Sequence, residues 1–264
     1  MAASEPAPPD FVGVGTQRSG TSWWYRLITQ HPSIHHPAGA AKELHYFDGF
    51  HQRCFAPADV IRYHEFFSRP AGMLRGEWTP RYAYDFWTPR LLRKAAPETK
   101  LLFMVKDPIA RYRSGVAHVT QVLTGALPPG GGALPTHRSA TDDHGSDQVG
   151  CLCATDAASR GLYGQQLKRL MRWFPRAQIL VLQYESCRRD PLGQLSRTFA
   201  HLGVNHVSPA VIDVMSRQDP GPAEGKPRLS KTAEEELAEF LADDVRELVE
   251  IAPEIDLELW PRFA

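Results

Sequence analysis

Three short apolar runs, far apart in the chain and separated by helical patterns, constrain the fold more than any other feature. Leu101-Leu102-Phe103-Met104-Val105 and Gln178-Ile179-Leu180-Val181-Leu182 are almost uninterrupted. A strand with one wet face alternates apolar and polar residues, whereas a continuous run marks a strand buried on both faces. Phe11-Val12-Gly13-Val14-Gly15 is a third such run and ends in glycine. Helical periodicity covers Thr21–Gln30, Pro57–Phe67, Thr88–Ala96, Arg160–Phe174, Pro191–Leu202 and Thr232–Ile251. Asp107-Pro108 opens one more helix, with the carboxylate as N-cap and proline in the first turn. Buried strands alternating with helices predict an α/β fold, a central parallel sheet flanked by helices. In such sheets ligands bind beyond the carboxyl ends of the strands.

Composition narrows the function classes. The chain has 264 residues, 42% hydrophobic and 23% charged, which excludes wholesale disorder. One domain over 11–264 is expected, behind a Pro/Ala/Ser-rich tail at 1–10. Lys+Arg and Asp+Glu each number 30. That balance argues against the broad basic surface of a nucleic-acid or anionic-membrane binder. No apolar run approaches the length of about 18 residues that marks a membrane-spanning helix. The first residues carry no basic and apolar signal pattern, so no secretory or membrane-anchored form is expected. Four cysteines are too few for a disulfide framework and suit a reduced, cytoplasmic chain. Cys151 and Cys153, with His137 and His144, match no common zinc spacing, and no metal is expected. Residues 123–156 are rich in Gly, Pro and polar residues without period, which predicts a long loop, either a lid or disordered.

The chemistry concentrates in three places. Gly15-Thr16-Gln17-Arg18-Ser19-Gly20-Thr21-Ser22 has the glycine spacing of a nucleotide P-loop, but Thr21 stands where lysine is required. The backbone cradle and helix dipole still favour an anion. With Arg18 as its cation, the loop suits one phosphate bearing one attached group; otherwise it is a glycine turn that packs helix on sheet. Lys106 follows the second apolar run, and Arg111, Ser114 and His118 fall at i, i+3 and i+7 on the next helix, its expected polar face. Arg113 reads as solvated. In Lys42-Glu43-Leu44-His45-Tyr46-Phe47-Asp48, Glu43 and His45 share a face if the segment is extended, which suits acid–base chemistry or a purely structural pair.

Taken in order, these motifs resemble the sulfotransferase family, in particular its heparan sulfate and carbohydrate branch. The resemblance rests on the R-S-G-T-S loop, a helix ending at His31-Pro32, K-E-L-H-Y-F-D, Glu77-Trp78-Thr79-Pro80-Arg81-Tyr82, and Lys106-Asp107-Pro108 with Ser114. It continues through Gly161-Leu162-Tyr163, Gln166-Leu167, Trp173-Phe174-Pro175, Tyr184-Glu185, Asp190-Pro191 and Gly225-Lys226-Pro227-Arg228. It implies a P-loop-like three-layer fold and sulfuryl transfer from 3′-phosphoadenosine 5′-phosphosulfate (PAPS), leaving 3′,5′-diphosphoadenosine, without metal. Arg18, Ser19, Gly20, Thr21 and Ser22 would hold the 5′-phosphosulfate, and Lys106 and Ser114 the 3′-phosphate. Gly225, Lys226 and Arg228 would close over the nucleotide. Glu43 would be the base, with His45 and Asp48 beside it and Arg18 stabilising the leaving group. Arg18 stands where many relatives have lysine, and Lys106 and Lys226 where arginine is usual. A P-loop metabolite kinase, a catalytically silent binding module and a glycan sulfotransferase are the competing readings. The neutral charge favours a small hydroxylated acceptor, such as a natural-product intermediate, and the Ala-, Arg- and Pro-rich composition is what a high-GC bacterial coding sequence tends to give.

Overall fold

The computed structural model describes residues 6–123, 154–204 and 229–264. Their order is β1 (Phe11–Gly15), α1 (Thr21–Ile28), α2 (Pro57–Glu65), β2 (Gly76–Trp78), α3 (Thr88–Ala95), β3 (Lys100–Val105) and α4 (Pro108–Leu123). A short helix, α5, covers 154–159. Then come α6 (Tyr163–Met171), β4 (Ile179–Gln183), α7 (Tyr184–Arg189), α8 (Pro191–Leu202) and α9 (Lys231–Ile251). The strands form one parallel sheet in the order β2-β1-β3-β4.

Strand alternation sorts the core into two layers. Val12, Val14, Leu101, Phe103, Val105 and Val181 face one side, where they meet Tyr63 of α2, Leu92 of α3, Leu167 of α6 and Leu248 of α9. Phe11, Leu102, Met104 and Leu182 face the other, against Trp24 and Ile28 of α1 and Phe199 of α8. Both faces of β1 and β3 are therefore covered, which is why their sequences run apolar without a break. Side-chain caps set several helix starts. Asp107 accepts from the Ala110 N–H at 2.7 Å, Asp190 from Gly193 at 2.9 Å and Ser230 from Ala233 at 3.1 Å.

Four local features differ from the sequence expectation. β2 has only three residues, one of them a glutamate, and carries no apolar period. α7 begins directly after β4, where no separate helix was expected. The helix expected from Arg160 starts at Tyr163, because the chain turns at Gly161, whose N–H donates to the Ala158 carbonyl at 2.8 Å. Arg111 does not lie on a polar face: it is buried, and its guanidinium donates to the carbonyl of Ala157. Asp10, just ahead of β1, accepts from Arg69 at 2.8 Å and from the Arg75 N–H at 2.7 Å. The histidines and the two cysteines of residues 137–153 lie outside the described residues, as does most of the 123–156 segment.

The edge strand is locked by shape. The Trp78 indole lies against Gly13 of β1, where an added Cβ would come within 2.0 Å of the ring, and its N–H donates to the Gly15 carbonyl at 3.1 Å. Gly13→Ala should therefore destabilise the protein by about 1–3 kcal/mol through overpacking, read from the midpoint of urea unfolding.

Candidate active site

The site assembles where all four strands end. β1 stops at Gly15, and residues 16–20 turn the chain into α1. Thr16 anchors the turn: its N–H and hydroxyl both donate to the Met104 carbonyl of β3, at 2.7 and 2.9 Å, and its hydroxyl lies 2.6 Å from that of Ser19. Arg18 (φ 65°) and Gly20 (φ 86°) are both left-handed. Such a conformation is strained for arginine and needs neighbours to hold it. One neighbour is Ser114 of α4, whose hydroxyl accepts from Arg18 Nε at 3.2 Å. Burial pushes the Arg18 guanidinium down from its ordinary value, though arginine stays charged in proteins. Gly20 packs on Tyr184, where a Cβ would meet the ring at 2.5 Å, and Lys106 Nζ lies 4.3 Å from the centre of the same ring. The first turn of α1 holds no acidic residue, so its positive end stays available to an anion.

Segment 42–48 is neither strand nor helix up to Phe47, yet it is tightly fixed. The Trp78 N–H donates to the Lys42 carbonyl at 2.8 Å. The Leu44 N–H reaches Glu77 Oε2 and Thr79 Oγ1, both at 3.1 Å, and the His45 N–H reaches Thr79 Oγ1 at 3.3 Å. The Tyr82 hydroxyl accepts from the Tyr46 N–H at 2.9 Å. Glu77 itself is buried, 1% exposed, and also accepts from Tyr63 at 2.8 Å and Thr79 at 2.6 Å. Burial pushes its carboxyl above the ordinary range, and these hydrogen bonds partly offset that rise. The extended geometry expected for Glu43 and His45 is replaced by a kink at His45 (φ 51°). The kink still brings the pair together.

The result is a continuous polar chain. Lys42 Nζ donates to Glu43 Oε1 at 2.6 Å, to Thr21 Oγ1 at 3.2 Å and to Ser22 Oγ at 3.1 Å. Glu43 Oε2 lies 3.2 Å from His45 Nε2, and His45 Nδ1 lies 2.8 Å from Asp48 Oδ2. Burial alone would push the Glu43 carboxyl up, but His45 and Lys42 together hold it below the usual carboxylate range. Hydrogen bonds to Asp48 and Glu43 raise His45 to about 9, so its imidazole is a cation at neutral pH. His118 of α4 is near enough to feel both Arg18 and Glu43, and burial lowers its pKa.

Most of the residues picked out by sequence do converge. Arg18 joins Ser114, Thr21 and Ser22 join Glu43 through Lys42, and Lys106 joins Gly20 through Tyr184. Ser19 is fully buried with its hydroxyl beside Thr16. Gly225, Lys226 and Arg228 lie outside the described residues. Sequence reasoning assigned no role to Lys42, Glu77, Thr79 or Tyr82. Lys42 had one signal, a lone cation beside the candidate base; the other three are legible only once β2 is paired to β1.

The raised His45 pKa carries a sign for stability. The folded value exceeds the ordinary histidine value of about 6.5, so the Glu43–His45–Asp48 chain stabilises the fold fully below that pH. The contribution is lost as pH rises through about 9. Asp48→Asn should move the His45 ring titration, followed by NMR, from about 9 back toward its ordinary value.

Comparison with known proteins is consistent with this geometry. The sulfotransferase domain model matches residues 8–218. Human heparan sulfate glucosamine 3-O-sulfotransferase 6 is 30% identical over 200 residues, covering 75% of this chain and 53% of the relative. Human heparan sulfate glucosamine 3-O-sulfotransferase 3B1 is 26% identical over 201 residues, with 75% and 47% covered. The chain thus spans about half the length of these curated relatives. A sulfotransferase from Alicyclobacillus acidocaldarius superposes with a TM-score of 0.67 at 23% identity, over 97% of this chain and 99% of that one. The sulfotransferase domain from the curacin biosynthetic pathway superposes at 0.56 and 13% identity, over 90% and 98%. The fold is therefore the P-loop-like three-layer fold of these enzymes. With the domain match running through the anion loop, Glu43 and Ser114, the chain belongs to the sulfotransferase family.

Proposed function

We propose that this sulfotransferase moves a sulfuryl group from PAPS, the family's general donor, to a hydroxyl or amine of a small-molecule acceptor. One observation carries the reading: a single ammonium, Lys42, bridges the Glu43 carboxylate and the hydroxyls of the anion loop. A base and an anion cradle so connected suit in-line transfer between an acceptor oxygen and a phosphosulfate. The donor set fits that group. Arg18 offers a fork for oxyanions, Thr21 and Ser22 offer hydroxyls, and α1 offers its N-terminal N–H groups. Ser114 and Lys106 are assigned to the 3′-phosphate, and Gly225, Lys226 and Arg228 to the nucleotide's cover.

In the reaction, Glu43 takes the acceptor proton as the acceptor oxygen bonds to sulfur. The bond from sulfur to the bridging oxygen breaks, and its electron pair stays on the departing phosphate. Arg18 stabilises that charge electrostatically, since a guanidinium is a poor proton donor. His45, held between two carboxylates, keeps Glu43 ionised and oriented.

Two arginines that touch the segments of the site are already paired with carboxylates, which supports a small, weakly charged acceptor. Arg81 Nε is 2.7 Å from Asp85 and 4.0 Å from Asp48. Arg160 pairs with Asp156 at 2.6 Å and donates to Gln17 of the loop at 2.6 Å. A polyanionic glycan would call for cations not matched by carboxylates. The second reading, a glycan acceptor, is favoured by the names of the 3-O-sulfotransferase relatives. Family membership sets aside the kinase reading. Among the described residues no helix is long and apolar enough to cross a membrane. A cytoplasmic bacterial enzyme acting on a natural-product intermediate completes the proposal.

Acceptors can be found by screening with PAPS for the mass gain of one sulfuryl group. Glu43→Gln should then retain binding of 3′,5′-diphosphoadenosine while turnover falls about 10²–10⁴-fold. Near-normal turnover would remove Glu43 from the role of base.

A further inference from the structure

We propose that Lys42 couples donor binding to the strength of the base, trading its contact with Glu43 for the 5′-phosphosulfate that Thr21 and Ser22 receive. This rests on the sulfuryl-transfer reading above and gives Lys42 a part in the reaction that the reading left unassigned.

The geometry explains why an exchange is needed. A lysine ammonium has three donors. Here Thr21, Ser22 and Glu43 take one each. The two hydroxyls accept from Lys42, which leaves their own O–H groups free to donate to an anion. An anion seated there lies beside Lys42, whose only contact worth surrendering is Glu43. A phosphosulfate carries more charge than a carboxylate and competes for the ammonium on favourable terms. Lys42 can follow it, because its charge sits on a flexible four-carbon stem. Arg18, the other loop cation, is engaged with Ser114 and held in a left-handed backbone.

The exchange changes Glu43 in a defined direction. The charged groups that face it are Lys42, His45 and, more remotely, His118. Those that face Lys42 are Glu43, Glu77 and the repelling Arg26. With Lys42 drawn to the donor, Glu43 keeps burial against it and His45 alone in its favour, so its carboxyl rises. A base held weak without donor becomes stronger when the donor is seated.

The test follows the Glu43 carboxyl by ¹³C NMR titration, with and without 3′,5′-diphosphoadenosine, in the full chain and in Lys42→Met and Lys42→Arg. In the unaltered protein, nucleotide should raise the Glu43 titration. Bound phosphate raises any neighbouring carboxyl by repulsion, so the size of the rise decides. It should be clearly larger in the unaltered protein than in Lys42→Met, where Glu43 starts high already. Lys42→Arg should restore most of the difference. Nucleotide affinity should fall about tenfold or more in Lys42→Met, the scale of one charged hydrogen bond. An equal rise in both proteins, or none in a protein that binds nucleotide normally, overturns the coupling and leaves the functional reading intact. Failure of the unaltered protein to bind nucleotide overturns both. The unaltered protein's titration stands by itself should Lys42→Met not fold.

Discussion

The candidate site depends on one buried carboxylate. Glu77 is the middle residue of a three-residue edge strand and has almost no exposure, a costly place for an ionisable group unless it is fully hydrogen-bonded. Tyr63, Thr79 and the Leu44 N–H supply those bonds. The last of them reaches the candidate site. It fixes the segment that carries Lys42, Glu43 and His45, which has no regular secondary structure to hold it. Remove the acceptor at Glu77 and the Leu44 N–H loses one of its two partners, with Thr79 left to hold the kink at His45.

Above that platform the electrostatics run as an alternating series: Lys42, Glu43, His45, Asp48. Each member is held by a neighbour of opposite sign, and the spread of pKa directions follows from that order. Burial works against both Lys42 and Glu43, but their mutual contact and His45 keep the carboxylate ionised. His45, between two carboxylates, is raised. The chain's formal charge is zero, so this polarity comes from placement, not from composition.

The sheet was legible because its central strands are apolar on both faces, and no other element gives that signature. β1, β3, β4 and the capped helices α4, α8 and α9 stand close to where periodicity and capping residues put them. β2 was not legible: three residues, with Glu77 and Trp78 pointing to opposite layers, leave no pattern. Arg111 misled because arginine at helical spacing reads as solvated, whereas here the guanidinium finds a backbone carbonyl inside. In the site, Arg18, Glu43 and Ser114 were readable as chemistry joined to a resemblance. Lys42 was not, since its reach to Thr21 and Ser22 crosses some twenty residues of chain and exists only after folding.

β2 also ties together two properties that proteins often keep apart. Trp78 wedges into the gap left by Gly13, and the residue before it holds the segment that bears Glu43. A slip of one position along β1 would turn the indole toward the site and the carboxylate into the apolar layer. The strand thus tolerates one alignment, and the geometry of the candidate site is built by the same act that closes the core. An edge strand is ordinarily the part of a sheet that frays first; in this molecule, a frayed edge takes Glu43 and its partners with it.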